Sequence, residues 1–174
     1  LDSDDEGVVV VGCAGGPVVK VNVPIRKVPA DHKKEYYAIK ITGLRGGHSG
    51  EDIHRGRANA NKLLIRVLRA LEENVRFDLS DITGGLKYNA IPRNAEAVIG
   101  IEKEDKAAVE AVIERFSGIF ADEYRVNDPG ITLEAVPQET ADRILDEASS
   151  RRVLDYIDFT ETGIIRRDQD YPQF

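Results

Sequence analysis

The sequence predicts an α+β fold, a two-layer sandwich in which an antiparallel sheet of about four strands carries two helices on one face. Residues 57–74 and 103–124 each place apolar side chains at helical spacing. The segments around them alternate between apolar and polar residues, as in Tyr37, Ile39 and Ile41, which is typical of strands. From residue 36 to residue 136 the predicted order is therefore β-α-β-β-α-β, with extra N-terminal strands and a C-terminal helix.

Composition excludes several classes of protein. The chain has 174 residues, of which 41% are hydrophobic and 32% charged, and its net charge of −7 argues against a nucleic-acid partner. The sequence contains no apolar run long enough to cross a membrane and no export signal at its start, and its single cysteine, Cys13, excludes an internal disulfide, so we expect a cytoplasmic setting. Met is absent and the chain opens on Leu1, so we expect a segment of a longer protein.

The N-terminal part combines an acidic stretch with two predicted strands. Residues 1–7 read LDSDDEG, which indicates either a solvated acidic turn or a carboxylate that binds a metal ion. The β-branched residues 8–11 predict a buried strand, and Cys13 after it is interpreted as a small buried residue. Residues 17–27 alternate through Val19, Val21, Val23 and Ile25, which predicts a half-buried strand.

The stretch that joins the next strand to the first helix, residues 43–50, reads GLRGGHSG. Four glycines around one imidazole predict a turn that presents His48 outward. The alternative is a plain strand-to-helix turn that happens to carry a surface histidine. His32, in an earlier polar loop, is interpreted as a surface residue.

The second half of the sandwich begins with a strand at residues 79–87, in which Gly84 and Gly85 indicate a bulge or a close backbone contact. A turn at 88–94, a strand through Ala97, a helix over 103–124 and a strand at 131–135 follow. Leu64 and Phe116 are predicted to face the sheet. A third helix is predicted at 141–157, through Ile144, Leu145, Ala148 and Leu154.

Assembly can also be anticipated from this layout. One sheet face carries no helix, and such a face meets solvent or a partner. A second copy could pair there, or along an edge offered by the strand that precedes residues 43–50, since twofold pairing is the commonest oligomer.

Four motifs in order resemble a known family. They are LDSDDEG with VGCAGG, then GLRGGHSG, RANANKLL, and NAIPRNAEAVI after the glycine pair. Together they resemble the lid or dimerisation domain of M20 metallopeptidases, in the aminoacyl-histidine (Xaa-His) dipeptidase branch. The resemblance covers roughly residues 1–136. It implies that residues 1–16 end a catalytic domain and form a connector, 17–136 form the lid and dimerisation domain, and 137–174 begin a further lid portion.

The resemblance also implies a chemistry. Family members hydrolyse peptide or amide bonds with two metal ions, usually zinc, and a Glu general base. By position, Asp2 would bind a metal ion, His48 would bind the substrate or its tetrahedral intermediate, often across a dimer, and Asn89 would contact the dipeptide substrate. The other metal histidines, the bridging Asp and the catalytic Glu pair have no counterpart here, and neither His32 nor His54 matches those motifs. A catalytic zinc needs about three protein ligands, so the isolated segment is expected to be inactive.

Two other classes of function are compatible with the same residues. The chain could be a stand-alone module that binds a small ligand or peptide through His48 and Asn89. It could also be a purely structural pairing domain, in which the glycine-rich turn is only a turn.

Overall fold

The computed structural model describes Gly7, residues 16–166 and Gln169, so Asp2, the predicted strand at residues 8–11 and Cys13 lie outside the described residues. Short 3-10 turns precede the first two α-helices, at Ile53–Arg55 and Lys103–Asp105. In chain order the described strands and α-helices are β1 (Lys27–Pro29), β2 (Glu35–Thr42), β3 (Gly47–His48), α1 (Ala60–Glu72), β4 (Phe77–Gly84), β5 (Ala90–Ile91), β6 (Ala95–Ile101), α2 (Lys106–Glu123), β7 (Thr132–Gln138), β8 (Arg143–Leu145) and α3 (Glu147–Phe159).

The main sheet has four strands in the order β4-β6-β2-β7, and every neighbouring pair is antiparallel. Ile39 on β2 lies opposite Ala97 on β6 and Ala135 on β7. The predicted α+β sandwich is therefore confirmed. The expectation that the strand before the glycine-rich turn offers an edge is wrong, because β2 is paired on both sides.

Both long helices bury an apolar stripe against one face of this sheet. Helix α1 starts where the side chain of Asn59 accepts the Asn61 N–H at 3.0 Å, an N-cap that satisfies one free donor. Leu64 on α1 is 1% exposed and Phe116 on α2 is 8% exposed, so the predicted helix phases are confirmed. The buried residues of α1 are Ala60, Leu63, Leu64, Ile65, Val67, Leu68, Ala70 and Leu71.

The opposite face of the sheet combines ion pairs with buried side chains, since Tyr36 is 3% exposed and Ala38 is 0% exposed. Lys40 on β2 lies 3.2 Å from Glu96 on β6, and Lys34 lies 2.8 Å from Asp78 on β4. The ring of Tyr36 lies against Gly100, where a side chain would collide with it. The charged side chains of this face are therefore paired with one another.

The predicted strand at residues 17–27 is wrong over most of its length. Residues 16–26 are irregular, Val19 is 76% exposed and Val21 is 51% exposed. Alternating valines favour a strand only where a partner strand is present, and β8 pairs with Lys27–Pro29 alone. The N–H of Ala30, the next residue, donates to the carbonyl of Asp142 at 3.0 Å.

The predicted helix at residues 141–157 begins too early. Ile144 and Leu145 lie in β8, which pairs with β1. The side chain of Asp146 then accepts the Ser149 N–H at 2.8 Å, and this N-cap starts α3 at Glu147. The cap overrides the apolar spacing that extends the helical pattern backwards.

Helix α3 is attached to α1 through two basic side chains. Lys62 Nζ donates to the carbonyls of Ile157, Asp158 and Thr160, at 3.0, 2.6 and 3.1 Å, at the C-terminal end of α3. Arg69 pairs with Glu72, Asp155 and Asp158. Partial burial alone would lower the pKa of Arg69, but these hydrogen bonds outweigh it and raise the pKa further. The cationic groups thus fix the helix end that carries a partial negative charge.

Candidate functional site

The backbone of the GLRGGHSG stretch requires glycine at residue 47. Gly47 has a φ of +145°, which L side chains rarely adopt, and a Cβ there would lie 2.5 Å from both Arg57 and Asp52. The side chains of Arg57 and Asp52 therefore lie directly against the main chain of Gly47, the residue before His48. The glycine content of the motif therefore has a packing reason at this position.

The structure brings the two predicted site residues, His48 and Asn89, together. Strand β3 pairs antiparallel with β5, with His48 opposite Ala90 and Gly47 opposite Ile91. The N–H of Ser49 donates to the carbonyl of Asn89 at 2.9 Å. The predicted turn at residues 88–94 thus contains a two-residue strand, which joins the histidine motif to the NAIP motif.

The ring of His48 has a defined tautomer in its neutral form. Its Nδ1 atom accepts the backbone N–H groups of Gly50 and Glu51 at 3.2 and 3.3 Å. A nitrogen that accepts hydrogen bonds carries no proton, so the proton of the neutral ring resides on Nε2. Because the side chain is exposed, this Nε2–H group is available as a hydrogen-bond donor to a ligand.

Asp52 and Arg57 form hydrogen bonds to the main chain of the histidine motif. Asp52 Oδ2 accepts the His48 N–H at 2.9 Å, and Asp52 Oδ1 lies 3.4 Å from Arg57 and 3.1 Å from Arg55. Arg57 also donates to the carbonyl of Gly46. The His48 N–H and, to a smaller extent, the two guanidinium groups lower the pKa of Asp52 below its ordinary value. Asp52 is therefore held as a carboxylate at neutral pH, as its partners require.

A cleft of about 470 Å³ opens beside the histidine motif. It runs from Ser49 to the loop between β4 and β5, and Lys87 is the charged residue among the described side chains that line it. Its lining residues are Ser49, Ile53, Asn59, Asn61, Gly84, Gly85, Leu86, Lys87, Tyr88, Ala90, Ile91, Pro92 and Thr162. A mixed polar and apolar wall next to an available donor suits a small polar ligand or a short peptide.

In the glycine pair that lines this cleft, Gly84 packs closely against a side chain. A Cβ on Gly84 would collide with the side chain of Asn61 on α1. The bulge in β4 falls elsewhere, where the register shifts between Leu79 and Asp81. Of the two sequence interpretations, a bulge at Gly84 is thus wrong, and the close contact is with a side chain and not with a backbone.

Metal binding receives no support from the described residues. Asp2, the predicted ligand, lies outside them, and the part of the chain that the structure describes contains no cluster of three His, Cys, Asp or Glu side chains able to hold a metal ion. His32 and His54 are both exposed. The described residues therefore do not fit a zinc centre by themselves.

Three supporting residues were missed by sequence reasoning, namely Asp52, Arg57 and Asp128. Asp52 reads as an ordinary polar residue before a helix, Arg57 as the first residue of the predicted helix, and Asp128 as part of the NDPG turn at 127–130. Asp128 is nevertheless only 1% exposed. A carboxylate four residues after the histidine is the one local signal that could have pointed to Asp52.

The fold and this site define a class. Residues 39–128 match the family described as the peptidase dimerisation domain of M20 peptidases (M20_dimer), and the chain belongs to that family. The predicted resemblance to an M20 dipeptidase dimerisation segment is confirmed.

Two relatives place the chain more closely. It is 33% identical over 168 residues to a cytosol non-specific dipeptidase from Escherichia coli (strain K12), and the match covers 95% of this chain and 34% of that protein. It superposes on the crystal structure of aminoacylhistidine dipeptidase from Vibrio alginolyticus with a TM-score of 0.79 and 26% identity, over 83% of this chain and 30% of the other. The chain thus spans about a third of the length of the curated relative. Within the described residues, no helix is both long and apolar enough to cross a membrane.

Proposed function

We propose that this chain is the lid and dimerisation segment of a cytoplasmic M20 dipeptidase that hydrolyses Xaa-His dipeptides, and that His48 donates a hydrogen bond to the substrate oxygen on which negative charge develops. The observation that carries the proposal is the state of the His48 ring, whose Nδ1 is occupied by the N–H groups of Gly50 and Glu51. The donor left over is Nε2–H, on an exposed ring whose next residue along the chain, Ser49, lines the cleft. A donor aimed at a developing oxyanion acts where charge appears in the transition state.

The remaining parts of the proposal follow the same layout. The boundaries at residues 16/17 and 136/137 separate the end of a catalytic domain, this domain and a further lid portion. Asn89, in the turn just before β5, contacts the dipeptide close to His48, since its carbonyl accepts the N–H of Ser49, the residue after His48, at 2.9 Å. Two metal ions, zinc by resemblance, would be held by residues outside the described part of the chain, Asp2 among them. The names of the two relatives support a dipeptide substrate and a cytosolic setting.

We further propose that two copies pair along β7. Among the described strands of the main sheet, β7 is bonded on one side only, to β2. An exposed strand edge is a template for a second chain, whereas the charged side chains of the helix-free face are paired with one another. The other edge strand, β4, has β8 beside it, where Ser80 Oγ donates to the Arg143 carbonyl at 2.9 Å. Pairing along β7 agrees with the family description.

The test is the substitution His48→Ala in the full-length protein. Loss of one oxyanion donor should lower kcat by roughly 10²–10³-fold. Folding and metal content should stay normal, because the exposed ring bonds only to neighbouring backbone N–H groups. His48→Gln places an amide N–H near the position of Nε2 and should retain part of the rate. The matched control is His54→Ala, an exposed histidine six residues further on.

The outcome separates the three classes of function. Unchanged kcat and KM in His48→Ala would refute the catalytic role. Weaker dipeptide binding without any catalysed turnover in the wild-type protein would favour the stand-alone binding module. If His48→Ala binds the dipeptide as well as wild type does and its turnover is not reduced, the turn has only a structural role. The substrate preference is read from kcat/KM for carnosine against a dipeptide that lacks histidine, and equal values would refute the Xaa-His part alone.

A further inference from the structure

Helix α2 continues into a short hook, residues 124–130, that contacts the segment carrying the histidine motif. The hook is closed by two backbone hydrogen bonds, from the Asp128 N–H to the Tyr124 carbonyl at 2.9 Å and from the Ile131 N–H to the Asp128 carbonyl at 3.2 Å. Asp128 lies at its centre and is 1% exposed. A buried carboxylate is costly unless its oxygens are hydrogen-bonded, so its partners define its role.

Both oxygens of Asp128 are used, and both bind the segment that carries His48. Oδ1 accepts the Arg45 N–H at 2.7 Å, and Oδ2 accepts the Ala58 N–H at 2.7 Å. The residues between these two donors, 46–57, include His48, Asp52 and Arg57. One carboxylate therefore fastens the two ends of the segment. Hydrogen bonds to an ionised acceptor are roughly twice as strong as neutral ones.

Further contacts join the hook to the same segment. Asn127 Nδ2 donates to the Gly56 carbonyl at 3.1 Å. Gly43 lies so close to Gly130 that a Cβ on Gly43 would collide with the Gly130 carbonyl. The segment from residue 43 to residue 58 is thus held by the hook near its beginning and near its end, while His48 lies between these points.

We infer that Asp128 is a positioning residue for His48, which sets the place of the Nε2–H donor by fastening both ends of the segment that carries it. This inference rests on the proposed function for its catalytic consequence. Asp128 is buried and both of its oxygens bond to main chain, so it acts through the segment and does not touch the ligand. A displacement of about 1 Å in a positioned group can cost about 10²-fold in rate.

The experiment is Asp128→Asn in the full-length protein, with Asp122→Asn as the matched control. Asparagine keeps the shape but turns an NH₂ donor toward one of the two N–H donors, so one end of the segment is released. Asp122 is an exposed carboxylate at the end of the same helix. We expect kcat to fall about 10- to 100-fold in Asp128→Asn with KM little changed, and neither value to move in the control.

A double variant separates positioning from general destabilisation. If Asp128 acts through His48, adding Asp128→Asn to His48→Ala lowers kcat no further. An additional loss of the same size as in the single variant would overturn the inference. If Asp128→Asn fails to fold, Asn127→Ala replaces it, because that variant removes only the bond to Gly56 and should show a smaller loss with the same non-additivity.

A second readout keeps this inference distinct from the proposed function. In Asp128→Asn, amide hydrogen exchange should quicken across residues 45–58, and the ¹⁵N resonances of the His48 ring should shift. If His48→Ala leaves kcat unchanged, the proposed function fails, and these two measurements alone decide the positioning role. Unchanged exchange and unchanged ring resonances would overturn it whatever the kinetics show.

Discussion

His48 and Asp52 exchange two hydrogen bonds of equal length. The His48 N–H donates to Asp52 Oδ2 at 2.9 Å, and the Asp52 N–H donates to the His48 carbonyl at 2.9 Å. The second bond closes one turn of chain, and the first makes that turn depend on an ionised carboxylate. The conformation of the histidine motif should therefore depend on pH.

The first prediction concerns that dependence. The pKa of Asp52 is lowered in the folded chain, so its stabilising contribution is complete above the ordinary carboxyl pKa of about 3.9 and is lost as the pH falls through the lower folded value. The His48 amide proton shift, followed by NMR from about pH 6 to about pH 2, should titrate with a midpoint below about 3.9. The isosteric variant Asp52→Asn should lack this step. A midpoint at or above the ordinary value in the wild-type chain would contradict the assignment.

The second prediction concerns the core. Leu64→Ala and Phe116→Ala should each lower the free energy of unfolding by about 2–5 kcal/mol, because both side chains are buried and leave a cavity. The ring of Phe116 also meets Phe120 edge-on, with centroids 5.5 Å apart. Chemical denaturation measures the change. Leu86→Ala, at a side chain that is 93% exposed, is the control and should be nearly neutral, and a similar loss in all three variants would show that the helix phases do not matter.

The third prediction concerns the attachment of α3. Lys62→Met keeps the aliphatic stem but removes the ammonium group that donates to three carbonyls at the end of α3. We expect a loss of about 1 kcal/mol, with faster amide hydrogen exchange confined to the last turn of α3. Lys33→Met, at an exposed loop residue, should change neither quantity. Exchange that is uniformly faster across the domain would argue against a local attachment.

The fourth prediction concerns assembly. With Cys13 replaced by Ser, single cysteines at Thr132, Glu134 and Val136 on β7 should include one that forms an intermolecular disulfide under mild oxidation. Directly opposite residues of a non-hydrogen-bonded antiparallel pair have Cβ atoms about 4.5 Å apart, at the upper end of the range that a disulfide spans. Thr83→Cys, on the other edge strand, is the control and should stay unlinked. Light scattering that reports a monomer at every concentration would refute pairing along β7.

Much of the fold could be predicted because its signals are local. The alternation through Tyr37, Ile39 and Ile41 and the apolar stripe that includes Leu64 each fix an element and its buried face within a few residues. The prediction fails where the conformation of a segment depends on a partner that is distant in the sequence. Val19 and Val21 alternate as a strand does, yet no described strand lies beside them to pair with.

The candidate site divides in the same way. His48 and Asn89 stand in recognisable motifs, and their proximity follows once β3 pairs with β5. Asp128 could not be identified from its neighbours, because its partners Arg45 and Ala58 are 83 and 70 residues away along the chain. The NDPG turn motif does not indicate that its Asp is buried, because the partners of Asp128 come close to it only in the folded chain.

The contact between Gly43 and Gly130 has a consequence for recombination. A Cβ on Gly43 would collide with the Gly130 carbonyl, so Gly43 cannot gain a side chain unless Gly130 moves away, while a Cβ on Gly130 would lie only 3.0 Å from the Gly43 carbonyl. Exchange of the histidine motif between related enzymes should therefore succeed only when the two glycines and Asp128 are transferred as one block. Chimeras whose junction falls between residues 58 and 127 would separate the motif from the hook made to hold it, and they should express less well than chimeras joined outside residues 43–130.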